Sequence, residues 1–156
     1  MIMTIRVDVQ HACTDKNLPG DRALAKWARK ALQNKGTDRE LTIRIVDEDE
    51  SAMLNERWRN KSGPTNVLSF PFDGDQRLAP GLLGDIIICA PVVRREAEEQ
   101  QKTLEAHWAH MVIHGTLHLQ GYDHMNDRQA EEMESLEIRL LDSLGYTNPY
   151  LVNQPS

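Results

Sequence analysis

Five of the six histidines in this 156-residue chain fall between His107 and His124. Imidazole binds transition metals and exchanges protons near neutral pH, so the spacing within that run decides what chemistry is on offer. His114 and His118 stand four residues apart. On a helix that places them one turn apart on one face, with both rings able to aim at a common point. Gly121 can adopt φ > 0, stop the helix and turn the chain back, so that His124 returns toward the pair as a third nitrogen ligand. Three nitrogens leave one tetrahedral position open, the arrangement of a catalytic rather than a structural zinc, where a bound water is acidified. Nickel and copper accept the same ligands. The plainer alternative is a set of buried, hydrogen-bonded histidines capping a core helix.

One absence narrows the chemistry. The metzincin pattern H-E-x-x-H-x-x-G-x-x-H has the same spacing, with a glutamate base after the first histidine. Here that position is Gly115, which cannot accept a proton, so an ordinary metallopeptidase is disfavoured. Relative to His107, residues 110, 114 and 118 lie at roughly 300°, 340° and 20° around the axis, a single stripe. His110 with His114 is therefore a competing pair, but no turn supplies it with a third ligand. His107 and His110 read as helix-face residues that hydrogen-bond nearby, or as groups that orient a ligand.

The elements around this run follow from periodicity. Thr4 to Gln10 alternates as a strand, and Pro19-Gly20-Asp21 breaks the chain with Asp21 as N-cap of a helix. That helix carries Ala23, Leu24, Trp27, Ala28, Ala31 and Leu32 at helical spacing and ends at Lys35-Gly36. Leu41 to Val46 is a second strand. A short helix from about Asp49 to Trp58 buries Met53, Leu54 and Trp58 or a subset of them. Val67 to Phe72 is a third strand, Gln76 to Gly81 a mobile loop, and Leu82 to Ala90 a strand whose Ile86-Ile87-Ile88 implies cover on both faces. Pro91 suits the first turn of a helix from about Val92 to Gln101. Helices then span Leu104 to Leu119 and Asp127 to Leu144, with Gly121 and Gly145 as stops. The fold class is α+β: a single domain over residues 1–156, with about four strands in a mixed sheet packed by about five helices. Residues 151–156 are expected to be a flexible tail.

Composition bounds the partners. Eighteen basic against twenty-four acidic residues give a net charge of -6, which excludes a surface-wide polycation but leaves room for a local basic groove. No apolar run is long enough to span a bilayer, so no membrane partner is expected. The first ten residues do not form a secretory signal. Cys13 and Cys89 show no CxxC pattern, so a cytoplasmic setting without a disulfide scaffold is expected.

The run His114-Gly115-Thr116-Leu117-His118-Leu119-Gln120-Gly121-Tyr122-Asp123-His124 resembles the signature of the YbeY family of bacterial rRNA maturation factors. Leu54-Asn55 with Arg59, the segment Pro64 to Phe72, and Leu83-Gly84-Asp85-Ile86-Ile87-Ile88 match the family as well, so the likeness covers roughly residues 40 to 150. Asn66 departs from a frequent aspartate and leaves the histidines untouched. The resemblance implies a metal-dependent endoribonuclease acting on single-stranded RNA, in 16S rRNA 3′-end maturation and ribosome quality control. It implies one Zn2+ per chain on His114, His118 and His124, a functional arginine at Arg59, and RNA rather than DNA as partner, together with the small ribosomal subunit and its proteins. His114 and Arg59 are then the candidate catalytic residues. Two rivals remain open: a non-enzymatic, zinc-stabilised ribosome assembly factor, and a metallohydrolase of another substrate class.

Other side chains are assigned on physical grounds. A phosphodiester gathers negative charge in its transition state, which a guanidinium can hold with two parallel hydrogen bonds. Arg57, Arg59 and Lys61 form the densest basic cluster, either lining the site or decorating a solvated helix end. Arg59 is preferred because the loop starting there has more freedom to face a cleft. Asp85, alone in an apolar strand, needs a partner if buried and either holds a backbone turn or orients a histidine. Asp123 is a second orienting candidate or merely a turn residue. Ser69 and Thr65 satisfy backbone or meet RNA phosphates. Trp27, Trp58 and Trp108 read as core, and Cys89 as a buried small hydrophobe. The acidic helix bearing Glu131, Glu132, Glu134 and Glu137 should face away from RNA, where it could meet a basic ribosomal protein.

Overall fold

A computed structural model describes residues 4–32 and 38–151. Four strands form one mixed sheet: β1 (Ile5–Ala12), β2 (Arg39–Val46), β3 (Val67–Pro71) and β4 (Leu82–Cys89), in the order β1-β2-β4-β3. β1, β2 and β4 run parallel, and β3 is antiparallel to β4 at the edge. Parallel neighbours need crossover helices, which cover the sheet and explain why Ile86, Ile87 and Ile88 are all buried. Five helices complete the described chain: α1 (Asp21–Ala31), α2 (Glu48–Arg59), α3 (Ala90–Glu99), α4 (Leu104–Leu119) and α5 (Asp127–Ser143). The α+β reading holds, and the bounds of α4 coincide with those expected from the sequence.

The two faces of the sheet are covered unequally. Leu41, Ile43, Ile45, Ile86 and Ile88 point into the main core with Leu24, Trp27, Trp108, Ile113 and Leu117 from α1 and α4. The opposite face carries a smaller cluster of Val46, Leu68, Ile87, Cys89 and Val92, against which Leu54 and Phe70 pack. α4 is buried along most of its length. Its N-terminus is capped by Thr103, whose hydroxyl accepts the Ala106 N–H at 3.1 Å.

Several expectations are corrected. The N-cap of α1 is Gly20, and Asp21 is the first helical residue. There it still complements the helix dipole, and its carboxylate bonds the His11 ring at 2.7 Å. Lys35-Gly36 and residues 152–156 lie outside the described residues. On α2 the inward positions are polar. Ser51 exchanges hydrogen bonds with the Thr65 backbone at 3.0 Å, and Asn55 donates to the Gly63 carbonyl at 2.9 Å. The helix thus spends its buried face on holding the loop before β3, so Met53 and Trp58 turn outward, 54% and 61% exposed. Trp58 is a surface residue propped edge-on against Phe70, not core. Trp27 and Trp108 are core, as is Cys89. Both cysteines are free. No helix among the described residues is long and apolar enough to cross a membrane.

Candidate metal centre

α4 ends where the sequence places its stop. Gly121 adopts φ 99°, a left-handed conformation open to glycine at little cost. The chain then reverses, and the Tyr122 carbonyl accepts a 2.8 Å hydrogen bond from His118 Nδ1. A carbonyl can only accept, so the His118 proton sits on Nδ1 and Nε2 carries a lone pair. His114 Nδ1 lies 3.3 Å from the Glu137 carboxylate, which fixes the same tautomer there. The two Nε2 atoms consequently face each other at 3.1 Å. His124 returns beside them, its ring centroid 5.1 Å from that of His118. One ligand nitrogen from each of the three rings lies within 4.8 Å of the others.

This donor set fits a divalent ion. Two lone pairs in van der Waals contact repel unless a shared proton or a metal ion lies between them. Nitrogens each 2.0–2.1 Å from a tetrahedral ion would stand about 3.3 Å apart, close to the observed separation. Burial, then the neighbouring His114, pushes His118 below its ordinary value and keeps it in the neutral, ligating form. A second group, His110, His114 and Glu137, also brings ligand atoms together. There the carboxylate oxygen receives ring N–H groups, so protons rather than lone pairs point at its centre, which does not suit a cation. The competing His110–His114 pair thus has a third partner after all, and it is a hydrogen-bond acceptor.

The three histidines open onto a cleft of about 610 Å³ that runs along the edge strand β3 and is lined also by Arg59, Asn66, Ser69 and Asp123. Of the basic cluster, Arg59 is the one residue that lines it. Arg57 lies over the Trp58 ring at 5.3 Å, and Lys61 is exposed in the following loop. Ser69 donates to the Gly115 carbonyl at 3.2 Å, satisfying backbone as expected. Asp123 accepts the His124 N–H at 2.7 Å, the role of a turn residue. Asp85 is corrected: it is exposed and orients no histidine. It alternates with Gly84 and Ile86 onto the sparsely covered face, where water solvates it.

His107 and His110 are buried and bonded, as the plainer reading held. His107 Nε2 meets Glu96 at 2.9 Å, and His110 Nε2 meets Glu137 at 2.5 Å. Glu131, Glu132 and Glu134 face solvent. Glu137 does not: it is fully buried, and the expectation that it faces outward fails because α5 packs that side on α4. Sequence reasoning missed Glu137, Glu96 and Tyr150. For Glu137 a signal existed, since Met133, Glu137 and Leu141 recur every fourth residue and a lone acid in an apolar stripe needs a reason.

Fold and site together define a class: an α+β chain with a three-imidazole cleft and a guanidinium on its rim, suited to metal-assisted hydrolysis of an anionic substrate. The family model for the endoribonuclease YbeY matches residues 9–145, and the chain belongs to that family. It is also similar to the solution structure of TM1509 from Thermotoga maritima, with 28% identity and a TM-score of 0.59 over 87% of this chain and 88% of that one. An endoribonuclease acts on RNA, and the histidine cluster is a group able to hold a metal ion.

Proposed function

We propose that this chain is a zinc-dependent endoribonuclease for single-stranded RNA, with His114, His118 and His124 as the metal ligands and Arg59 as the phosphate-binding residue. The observation that carries the reading is the pair of Nε2 lone pairs facing each other at 3.1 Å beside the cleft that Arg59 lines. When bound, the ion supplies charge stabilisation at a phosphoryl oxygen and a more acidic water. The chain's own residues do the rest. Arg59 reaches the cleft from the end of α2, where its planar fork can take two nonbridging oxygens and orient the scissile phosphate. His118 and His114 are held in one tautomer by Tyr122 and Glu137, so their orientation is set before substrate arrives.

In this reading the substrate is 16S rRNA near its 3′ end, the setting is the cytoplasmic small ribosomal subunit with its proteins, and the activity serves rRNA maturation and ribosome quality control. The family assignment supports RNA as substrate, and the two free thiols agree with a reducing compartment. The test is cleavage of single-stranded RNA by wild type, His114→Ala and Arg59→Ala preparations. Each substitution should slow cleavage by about 10²-fold or more, the usual cost of removing one transition-state charge partner. Equal rates in all three would identify a contaminating nuclease and end the proposal. A 2′,3′-cyclic phosphate on the product would assign the attack to the RNA 2′-OH.

A further inference from the structure

The inward stripe of α5 is Met133, Glu137 and Leu141, so a carboxylate occupies the middle of an apolar seam, with 0% of its surface exposed. An ionised group so placed has to be matched by donors or by a countercharge. Its Oε2 takes the His110 Nε2–H at 2.5 Å and the His114 Nδ1–H at 3.3 Å. Its Oε1 takes the Tyr150 hydroxyl at 2.9 Å. These three donors match the buried carboxylate. Among the described residues, no lysine or arginine forms an ion pair with Glu137. Leucine or methionine would fill the seam without this cost. What a carboxylate adds is an acceptor that His110 and Tyr150 hold in place and that lies on the far side of the His114 ring.

We infer that Glu137 is the positioning residue for His114: it locks the Nδ1–H tautomer and the ring orientation, so that Nε2 is presented to the ion. His110 and Tyr150 hold the carboxylate in place, which makes a relay from the C-terminal turn at Tyr150 to the cleft. A carboxylate on the outer nitrogen of a metal-ligating histidine also raises its basicity and supplies negative charge one ring away from the cation. This inference rests on the proposed metal role of His114.

The test uses full-length protein stripped of metal, with Zn2+ affinity read by chelator competition and Co2+ as a spectroscopic probe. Glu137→Gln keeps shape and an acceptor but loses the charge. It should bind Zn2+ 10- to 100-fold more weakly than wild type and alter the Co2+ ligand-field bands, with the metal-free fold retained by circular dichroism. Tyr150→Phe should move both readouts the same way by less, and Glu131→Gln, an exposed acid on the same helix, should move neither. If Glu137→Gln does not fold, Tyr150→Phe decides. Wild-type affinity and bands in the folded variants, with only a lower melting temperature, would make Glu137 merely structural and overturn the inference. A wild type that binds no Zn2+ would instead bring down the metal reading itself, and this inference with it.

Discussion

The two halves of α4 carry the same residue type on the same stripe and put it to opposite uses. At the N-terminal half, His107 and His110 each end on a carboxylate, Glu96 and Glu137, inside the protein. At the C-terminal half, His118 makes no ion pair among the described residues and faces other imidazoles across a cleft, His124 among them from the chain that returns past Gly121. His114 belongs to both, with Nδ1 toward Glu137 and Nε2 toward His118. What separates a structural histidine from a ligand is therefore the partner that another element brings opposite it. At His107 and His110 the acceptor takes Nε2, whereas at His114 and His118 it takes Nδ1 and leaves Nε2 turned toward the cleft. A second lone pair leaves a gap that a cation fills.

The contrast is broken most directly by truncating one member of each half. His118→Ala should weaken Zn2+ binding by more than the 10- to 100-fold that loss of a supporting group costs. It should lower the stability of the metal-free protein by only about 1 kcal/mol, the worth of the bond to the Tyr122 carbonyl. His110→Ala should do the reverse in stability, costing about 3 kcal/mol in urea unfolding of the metal-free protein, because Glu137 keeps its buried charge with a donor removed. If the two substitutions gave the same pair of effects, the division of the helix would be wrong.

Gly115 sharpens the contrast by showing why the cleft half holds no glutamate base. A Cβ at this position would meet Ile86 Cγ2 at 2.8 Å and Ser69 Oγ at 3.3 Å. The residue points at the sheet, and its missing side chain lets the cleft end of α4 lie close against β3 and β4. Ile86 is β-branched and fully buried and cannot swing away. Gly115→Ala should therefore destabilise by about 1–2 kcal/mol in thermal or urea unfolding, overpacking outweighing the gain in helix propensity. A stabilised variant would show that the helix has room to back off.

Much of this was legible in one dimension. The strict i, i+4 histidine pair and the glycine reversal fix the ligand end of α4 locally, so the sequence already placed the three imidazoles together. The mixed sheet followed from alternation and from the apolar run at Ile86 to Ile88. What was not legible depended on elements distant in sequence. Asp85 looked buried because its neighbours are apolar, yet the thin cover on its face comes from how few residues α2 and α3 spend there. Trp58 looked like core by helical spacing, but α2 turns Ser51 and Asn55 inward to tie down a loop. Glu137 looked like part of an acidic surface, and it took the packing of α5 on α4 to bring it beneath His110 and His114.

The smallest effect concerns the structural end of the helix. Burial of Glu96 would push its carboxyl up, but hydrogen bonds from His107 and Asn66 hold it below its ordinary value. A carboxyl with a depressed folded-state pKa adds stability that is present above the unfolded value, about 4.3, and is lost as pH falls through the folded one. Metal-free wild type should accordingly exceed Glu96→Gln by somewhat under 1 kcal/mol at pH 7, discounted because the side chain is 26% exposed and screened. The gap should close below about pH 4, where a protonated Glu96 becomes equivalent to glutamine. Zn2+ affinity should be the same in both, since Glu96 touches His107 and Asn66 but none of His114, His118 and His124. A gap that stayed constant from pH 7 to pH 3.5 in urea unfolding would mean that Glu96 acts by shape alone, and a loss of Zn2+ affinity would extend the ligand-supporting network to the far end of α4.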